Sequence, residues 1–177
     1  DLVVSAINYG ENPATDITMS GTVGAALEGA SHGIPSLAVS IQLENEDYLG
    51  YSNEVDFSTA AVFTRRFARI LLDKKMPADV MALNVNVPSR ATPQTEWRVT
   101  RLGKHPYFVP FLKEPETAGG VAKIDARPAP HAEDLNDPST DTHTFKVAKL
   151  VSVTPLSLDL TSRVELKSLS ELFGTLD

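Results

Sequence analysis

The sequence contains no cysteine, which excludes disulfide bonds, thiolate catalysis and cysteine-ligated metal sites. It also lacks any apolar run of the roughly 18 residues that a membrane helix needs. The net charge of −7 argues against binding to nucleic-acid polymers or anionic membranes, because both require a basic surface. The lack of cysteine fits a reducing compartment, so we expect a cytoplasmic protein with neither kind of partner.

Two phosphate-binding motifs are missing as well. There is no Gly-x-Gly-x-x-Gly run, and no lysine stands where a Walker motif would place it. Because no pair has the spacing of metal ligands on a helix, we expect the histidines to be surface or capping residues: His32, His105, His131 and His143.

The composition, with 177 residues of which 42% are hydrophobic and 22% charged, is that of an ordinary globular domain. Strand and helix patterns alternate along the first half. The predicted elements are a strand buried on both faces over 1–8, a helix from Ser20 to Gly33, a strand over 37–41, a helix over 56–74 and a strand over 80–87. This order is typical of an α/β fold with a mostly parallel sheet.

The second half has weaker patterns. Residues 97–102, 107–112 and 145–153 predict strands, and 162–173 predicts an amphipathic helix. The stretch 113–142 has no period, so we interpret it as a functional extension or a poorly ordered loop. We accordingly divide the chain into a sheet domain over 1–96, a hairpin and loop extension over 97–144, and a final strand and helix over 145–177.

The start of the first helix, Ser20-Gly21-Thr22, could bind an anion. The first N–H groups of a helix have no partner within the helix, and the helix dipole favours negative charge there. Gly21 would let a ligand approach the backbone, and the two hydroxyl groups would add donors. The alternative is an ordinary serine cap followed by small residues that pack on the sheet.

Asparagine and aspartate side chains cluster around the first strand end. Asn8, Asn12 and Asp16 offer oxygen ligands suited to Mg²⁺, Ca²⁺ or Mn²⁺, although the same residues are common in turns. Asn84 and Asn86 near the end of another strand are interpreted as structural, with side chains that satisfy the backbone of a neighbouring loop.

Taken together, several blocks closely resemble the SurE family of metal-dependent nucleotidases and acid phosphatases. The blocks are Asp1-Leu-Val-Val-Ser-Ala-Ile-Asn8 with Gly10, Asn12 and Asp16, then Ser20-Gly-Thr-Val-Gly-Ala-Ala26, Gly33-Ile-Pro-Ser-Leu-Ala-Val-Ser40, Leu83-Asn-Val-Asn-Val-Pro88, Thr140-Asp141 and Ser152-Val-Thr-Pro-Leu156. The resemblance covers most of the chain and is strongest over 1–41 and 80–88.

The resemblance implies a Rossmann-like, mostly parallel sheet with a projecting β-hairpin and a C-terminal helix, both used in exchange between subunits of a dimer. Because 97–112 and 162–173 carry apolar faces that one small domain would not cover, we expect a homodimer with exchanged arms, which could pair into a tetramer. It assigns Asn8 as a ligand of a divalent cation, with Mg²⁺ or Mn²⁺ expected. It assigns Ser20, Gly21 and Thr22 to the phosphate site and a supporting role to Asn12 and Asp16. The implied reaction is hydrolysis of nucleoside monophosphates.

The sequence also departs from the family pattern. Ala6 stands where the family usually has glycine, and a further glycine is usual near Pro13-Ala14. The paired aspartates that the resemblance implies on an upstream strand have no counterpart, so no catalytic residue is assigned, and we expect the sequence to be part of a longer protein. The alternative, for a chain that is complete as given, is a non-catalytic module that binds nucleotide or phosphate or mediates oligomerisation.

Overall fold

The structure is a computed structural model that describes residues 1–44, 55–113 and 121–174. A five-stranded sheet forms its centre, in the order β1-β2-β3-β7-β4. The strands are β1 (Val3–Tyr9), β2 (Ser36–Ile41), β3 (Ala82–Val87), β4 (Trp97–Val99) and β7 (Val151–Leu156). Strands β1, β2 and β3 are parallel, β7 is antiparallel to β3, and β4 is parallel to β7. The predicted mostly parallel α/β fold is thus confirmed.

Two helices cover opposite faces of this sheet. Helix α1 (Gly21–Ser31) packs with Val23, Ala26 and Ala30 against Ala38 of β2. Helix α2 (Ser58–Asp73) packs with Phe63, Phe67 and Leu71 against the other side of the same strand. Successive side chains of a strand point to opposite faces of the sheet, so a strand covered by helices on both faces is mostly apolar along its whole length. Strand β2 is covered in this way, and all of its residues are buried.

The remaining helices are shorter and lie in the second half of the chain. They are α3 (Ala132–Asn136), α4 (Asp141–Lys146) and α5 (Leu166–Phe173). A 3-10 segment, Ala14–Met19, follows β1 directly. None of the helices in the described ranges is both long and apolar enough to cross a membrane.

A β-hairpin stands apart from the main sheet. Strand β5 (Phe108–Lys113) pairs antiparallel with β6 (Lys123–Pro128), and the two form a separate two-stranded sheet. Much of the apolar surface on the hairpin and on α5 is exposed, and no residue of α5 is buried. These two elements correspond to the predicted projecting hairpin and C-terminal helix.

Several local predictions were wrong. Strand β1 is the edge strand among the described residues, so it alternates between half-buried and exposed positions instead of being covered on both faces. On α2 the buried face consists of Ala60, Phe63, Phe67 and Leu71, whereas Ala61 is exposed. The predicted strand over 145–153 begins only at Val151, because Phe145 belongs to α4.

The stretch 113–142 is more regular than its sequence indicated. Its described part contains β6, α3 and the start of α4, while 114–120 lies outside the described residues. The predicted final helix over 162–173 begins later, at Leu166, where the Glu165 side chain accepts from Ser168 N.

Candidate active site

The carboxyl ends of β1, β2 and β3 meet at one edge of the sheet and bring polar side chains together. Asn8 near the end of β1 pairs with Ser40 of β2, and Ser40 pairs in turn with Asn86 of β3. Ligands of open α/β sheets bind at this edge, because loops and helix N-termini surround it. The residues that the sequence analysis singled out at 8–22 all lie in the strand end, loop and helix start on this side.

The Asn8 side chain is oriented by the loop that follows it. Its Nδ2 donates to Gly10 O at 2.7 Å. Because a carbonyl oxygen can only accept, the side-chain atom next to Gly10 O must be the amide nitrogen. Within the described residues no hydrogen bond reaches Oδ1, and the residue is half-buried. An amide oxygen with no protein partner is a suitable ligand for a hard divalent cation.

The start of α1 presents N–H groups that have no acceptor in the part of the chain that the structure describes. Ser20 caps the helix, as predicted: its Oγ accepts from Val23 N at 3.1 Å, and its carbonyl oxygen accepts from Gly24 N at 2.9 Å. Nowhere in the described ranges does an acceptor reach the N–H groups of Gly21 and Thr22. Two unpaired N–H groups at the positive end of an 11-residue helix are suited to an anion.

Gly21 is not required by packing or by backbone conformation. A Cβ placed on Gly21 would meet no atom of the described residues within 4 Å, and the φ of Gly21 is not positive. Gly29 in the same helix differs, since a Cβ there would lie 2.6 Å from Val3 Cγ2. The space beside Gly21 therefore leaves room for a ligand, whereas Gly29 is explained by the close approach of α1 to β1.

Asn12 ties the first loop to two neighbouring strands. Its backbone N donates to Asn86 Oδ1 at 2.8 Å, and its Nδ2 donates to Ser40 Oγ at 2.8 Å. Its carbonyl oxygen accepts from Asn84 Nδ2 at 2.8 Å and from Asn86 Nδ2 at 3.3 Å. Asn84 and Asn86 thus satisfy loop backbone, as the sequence analysis interpreted them, and they hold the loop at the sheet edge.

The two carboxylates of this loop are engaged by the segment before β5. Asp16 Oδ2 accepts from the backbone N of Tyr107 at 3.0 Å and of Phe108 at 2.7 Å. Glu11, which is buried, accepts from the Tyr107 hydroxyl at 2.8 Å and from Leu43 N at 3.3 Å. Burial, together with the negative charge of Glu11, raises the pKa of the Tyr107 hydroxyl. Asp16 therefore lies where it can support the loop.

Asp141 connects three chain segments through its side chain. The sequence analysis included it only in a block that resembles the family and assigned it no role. Its fully buried carboxyl accepts from Ala14 N, Gly103 N and Thr142 N, at 2.7 to 2.9 Å. Burial raises the pKa of this carboxyl, while the three N–H groups act in the opposite direction. Ala14 has a φ of 52°, a left-handed conformation that favours glycine, and the resemblance in the sequence places a family glycine near Pro13-Ala14.

The sequence contains one motif with the spacing of a hydrolase nucleophile, which the sequence analysis did not mention. The structure does not place its serine on the kind of turn that catalysis requires. Gly29-Ala-Ser-His-Gly33 has the Gly-x-Ser-x-Gly spacing of hydrolase nucleophiles, which sit on a strand-to-helix turn. Here it ends α1, and Ser31 Oγ donates to Glu28 O at 2.7 Å in an exposed position. Of the histidines, His131 caps α3 and the His143 ring bonds Leu135 O at 2.6 Å.

These features define an α/β protein in which the ends of parallel strands and the N-terminus of a helix meet at one edge of the sheet, with donors and acceptors suited to an anion and a cation. Residues 1–108 match the family model described as "Survival protein SurE". The chain belongs to the SurE family.

Individual relatives agree with this family assignment. The chain is 40% identical to "5'-nucleotidase SurE" of Thermococcus kodakarensis over 178 residues, which is 97% of the chain and 65% of the relative. It is 39% identical to the protein of the same name from Archaeoglobus fulgidus, over 100% of the chain and 66% of the relative. The solved SurE protein of Aquifex aeolicus has 32% identity and a TM-score of 0.70, covering 98% of this chain and 66% of that one. The chain thus spans just under two thirds of the length of these proteins.

Proposed function

We propose that the protein is a divalent-metal-dependent phosphomonoesterase that hydrolyses nucleoside monophosphates. The observation that carries the proposal is that one sheet edge holds both the amide oxygen of Asn8 and the N–H groups of Gly21 and Thr22, none of which has a hydrogen-bond partner among the described residues. Hydrolysis of a phosphomonoester uses both features, because a cation and oriented N–H donors together stabilise the negative charge of the phosphoryl group. Relatives named 5'-nucleotidase SurE support the choice of substrate class.

The helix start would hold the phosphoryl group. The N–H groups of Gly21 and Thr22 are fixed by the Ser20 cap, so they need no rearrangement when charge develops on the phosphoryl oxygens. The absence of a side chain on Gly21 lets the oxygens approach the backbone, and the Thr22 hydroxyl can add a third donor. These residues would therefore bind the phosphate and stabilise the charge of the transition state.

The cation would be held on the Asn8 side of the site. Asn8 Oδ1 fits as one ligand of Mg²⁺ or Mn²⁺, since both metals prefer oxygen donors. A divalent cation bound there would polarise a phosphoryl oxygen and orient the attacking group. The catalytic acid, base and nucleophile are left unassigned, because Glu11 and Asp16 are engaged by the Tyr107 segment.

Asn12 and Asp16 would act by positioning the loop between Asn8 and Ser20. Asn12 fixes the loop to β2 and β3, and Asp16 fixes it to the segment that leads into the hairpin. Both halves of the site are attached to this one loop, so a small displacement of the loop would separate the cation ligand from the phosphate donors.

The experiment compares Thr22→Val and Asn8→Asp with Thr18→Val as a matched control. Thr18 is exposed and its hydroxyl is already bonded to Thr15 O at 2.9 Å, so its loss should leave activity unchanged. We expect Thr22→Val to lower kcat/KM for a nucleoside monophosphate roughly tenfold or more, and Asn8→Asp to change the Mg²⁺ or Mn²⁺ concentration required. Wild-type hydrolysis and metal dependence in both variants would contradict these roles.

A second candidate is a non-catalytic module that binds nucleotide or phosphate. It is favoured by one observation: at this edge, the described carboxylates of Asp16 and Glu11 already accept hydrogen bonds from Tyr107 and Phe108. Calorimetry with a nucleoside monophosphate, run beside an assay for released phosphate, separates the two. Binding without release in the presence of Mn²⁺ would support this module, and release would support the enzyme.

We further propose a homodimer with exchanged arms, which could pair into a tetramer. Leu166, Leu172 and Phe173 of α5 and Leu112 and Ile124 of the hairpin are all more than 60% exposed. Large apolar side chains on two projecting elements favour burial against another subunit. The net charge of −7 supports the expectation that neither a nucleic-acid polymer nor a membrane is the partner.

A further inference from the structure

Three side chains that can bind metal meet at the base of the β5–β6 hairpin. His105 lies in the loop between β4 and β5, whereas His131 and Glu133 follow β6 at the start of α3. One ligand atom from each residue lies within 4.8 Å of the others. The sequence analysis expected only surface or capping histidines, because 26 residues separate the two rings and their spacing indicates no shared site.

The two histidine rings lie against each other, and the His105 ring faces the carboxylate of the glutamate. Their centroids are 3.8 Å apart with an interplanar angle of 22°. His105 Nε2 is 3.7 Å from Glu133 Oε2. The cluster differs from an ordinary surface pair such as His32 and Glu28, which are 3.4 Å apart and one helical turn away from each other.

Asp134 prepares His105 for coordination. Its buried carboxylate contacts His105 Nδ1 at 3.2 Å through Oδ2, and it also accepts from the backbone N of Lys104 and of His105. A carboxylate at Nδ1 holds the proton on that nitrogen and leaves the Nε2 lone pair available. The same carboxylate–histidine arrangement orients the ligands of many protein metal sites. In this structure His105 Nε2 faces the Glu133 carboxylate.

His131 is the ligand that must change most. Its Nδ1 accepts from Glu133 N at 3.3 Å, which is long for a hydrogen bond. Coordination through either ring nitrogen would break this bond, because a cation on Nε2 leaves the proton on Nδ1. Both His131 and Glu133 are exposed, so their side chains have room to move. Tetrahedral Zn²⁺ needs ligand atoms roughly 3.3 Å apart, so the cluster has to contract on binding.

We propose that His105, His131 and Glu133 form a site for a transition-metal cation of the Zn²⁺ type. Two imidazoles and one carboxylate suit Zn²⁺ and its neighbours, whereas Mg²⁺ and Ca²⁺ prefer oxygen ligands alone. Three protein ligands leave the fourth position to water. The site shares no residue with the proposed phosphate and cation edge.

The cation would join the two chain segments that flank the hairpin. These segments already touch where Ala129 N donates to Tyr107 O at 2.8 Å, two residues from His105 and from His131. A metal bridge beside this bond would restrain the base of the hairpin. The site is therefore suited to fixing the orientation of the projecting arm rather than to chemistry on a substrate.

The test measures Zn²⁺ binding by calorimetry and Co²⁺ coordination by visible absorption, on protein without a histidine tag and with excess Mg²⁺ present. We compare the wild type with His131→Ala and Glu133→Gln, both at exposed positions, and with His32→Ala as the matched control. We expect one bound Zn²⁺ per chain, a tetrahedral Co²⁺ spectrum, and an affinity that falls at least tenfold in both site variants and is unchanged in His32→Ala.

Three results would overturn the proposal: no stoichiometric binding in the wild type, an octahedral Co²⁺ spectrum, or equal affinities in the wild type and both site variants. Thermal unfolding gives a second measurement. A fixed excess of Zn²⁺ should raise the Tm of the wild type and of His32→Ala by equal amounts and that of His131→Ala by less, because the stabilisation by a bound cation falls as its affinity falls. Equal shifts in all three proteins would count against the site.

Discussion

Gly21→Ala separates ligand binding from folding at the start of α1. The methyl group would meet no atom of the described protein within 4 Å, and no positive φ opposes it. Alanine is favoured over glycine in helices by about 1 kcal/mol in the interior and by less at the first position. We therefore expect the free energy of unfolding to stay the same or to rise by up to about 1 kcal/mol.

The same methyl group should harm phosphate binding. Cα–Cβ bonds in a helix tilt towards its N-terminus, so a Cβ on Gly21 projects into the space where the phosphoryl oxygens would lie. Loss of one oriented donor in a comparable site lowers kcat roughly 10²- to 10³-fold. We expect kcat/KM for a nucleoside monophosphate to fall by at least about tenfold, with inorganic phosphate weakened as an inhibitor.

Two other glycines of the same helix provide controls. Gly24→Ala also enters open space, but one turn further from the helix start, and it should keep full activity. Gly29→Ala would place its Cβ 2.6 Å from Val3 Cγ2 and 2.8 Å from Ser36 Oγ, so it should cost about 1–3 kcal/mol of stability through overpacking. Chemical denaturation and steady-state hydrolysis measure both quantities. If Gly21→Ala and Gly24→Ala have equal activity, the helix start does not bind phosphate.

Three further predictions concern the supports of the site and the assembly. Tyr107→Phe should lower the free energy of unfolding by about 1–3 kcal/mol, because the buried Glu11 loses its hydroxyl partner. Since the pKa of Tyr107 is raised in the folded state, the unfolded chain loses this proton first, and wild-type stability should decline above about pH 10. Denaturation curves over a pH series test this, and an equal decline in the variant would be inconsistent with it. Asp141→Asn should lower the free energy of unfolding by about 1–3 kcal/mol, because an amide cannot accept from all three N–H groups that the carboxylate binds. The control Asp159→Asn, at an exposed position, should leave the free energy of unfolding unchanged. Replacing Leu172 and Phe173 with aspartate should shift the dimer towards monomer in light scattering, and a wild-type monomer at micromolar concentration would contradict the proposed assembly.

The sequence by itself determined the parallel strands β1, β2 and β3, the two covering helices and the start of α1. These elements bury one periodic face or a whole apolar strand, so local periodicity is sufficient to find them, as for Leu37–Ile41 and for α2. Ser20 was recognisable as a cap because its side chain bonds a backbone N–H only three residues away. The polar tips of β1 and β3 were visible in the same way.

Only the tertiary structure decided what the loops and short elements contact. Helices α3 and α4 have five and six residues, less than two turns, which is too short for a periodic pattern to show in the sequence. The Asp141 carboxyl meets Ala14 across 127 residues, and the His105 ring meets His131 only because the β5–β6 hairpin returns the chain to its starting point. Such contacts depend on how the chain crosses itself, and neither residue type nor spacing encodes that path locally.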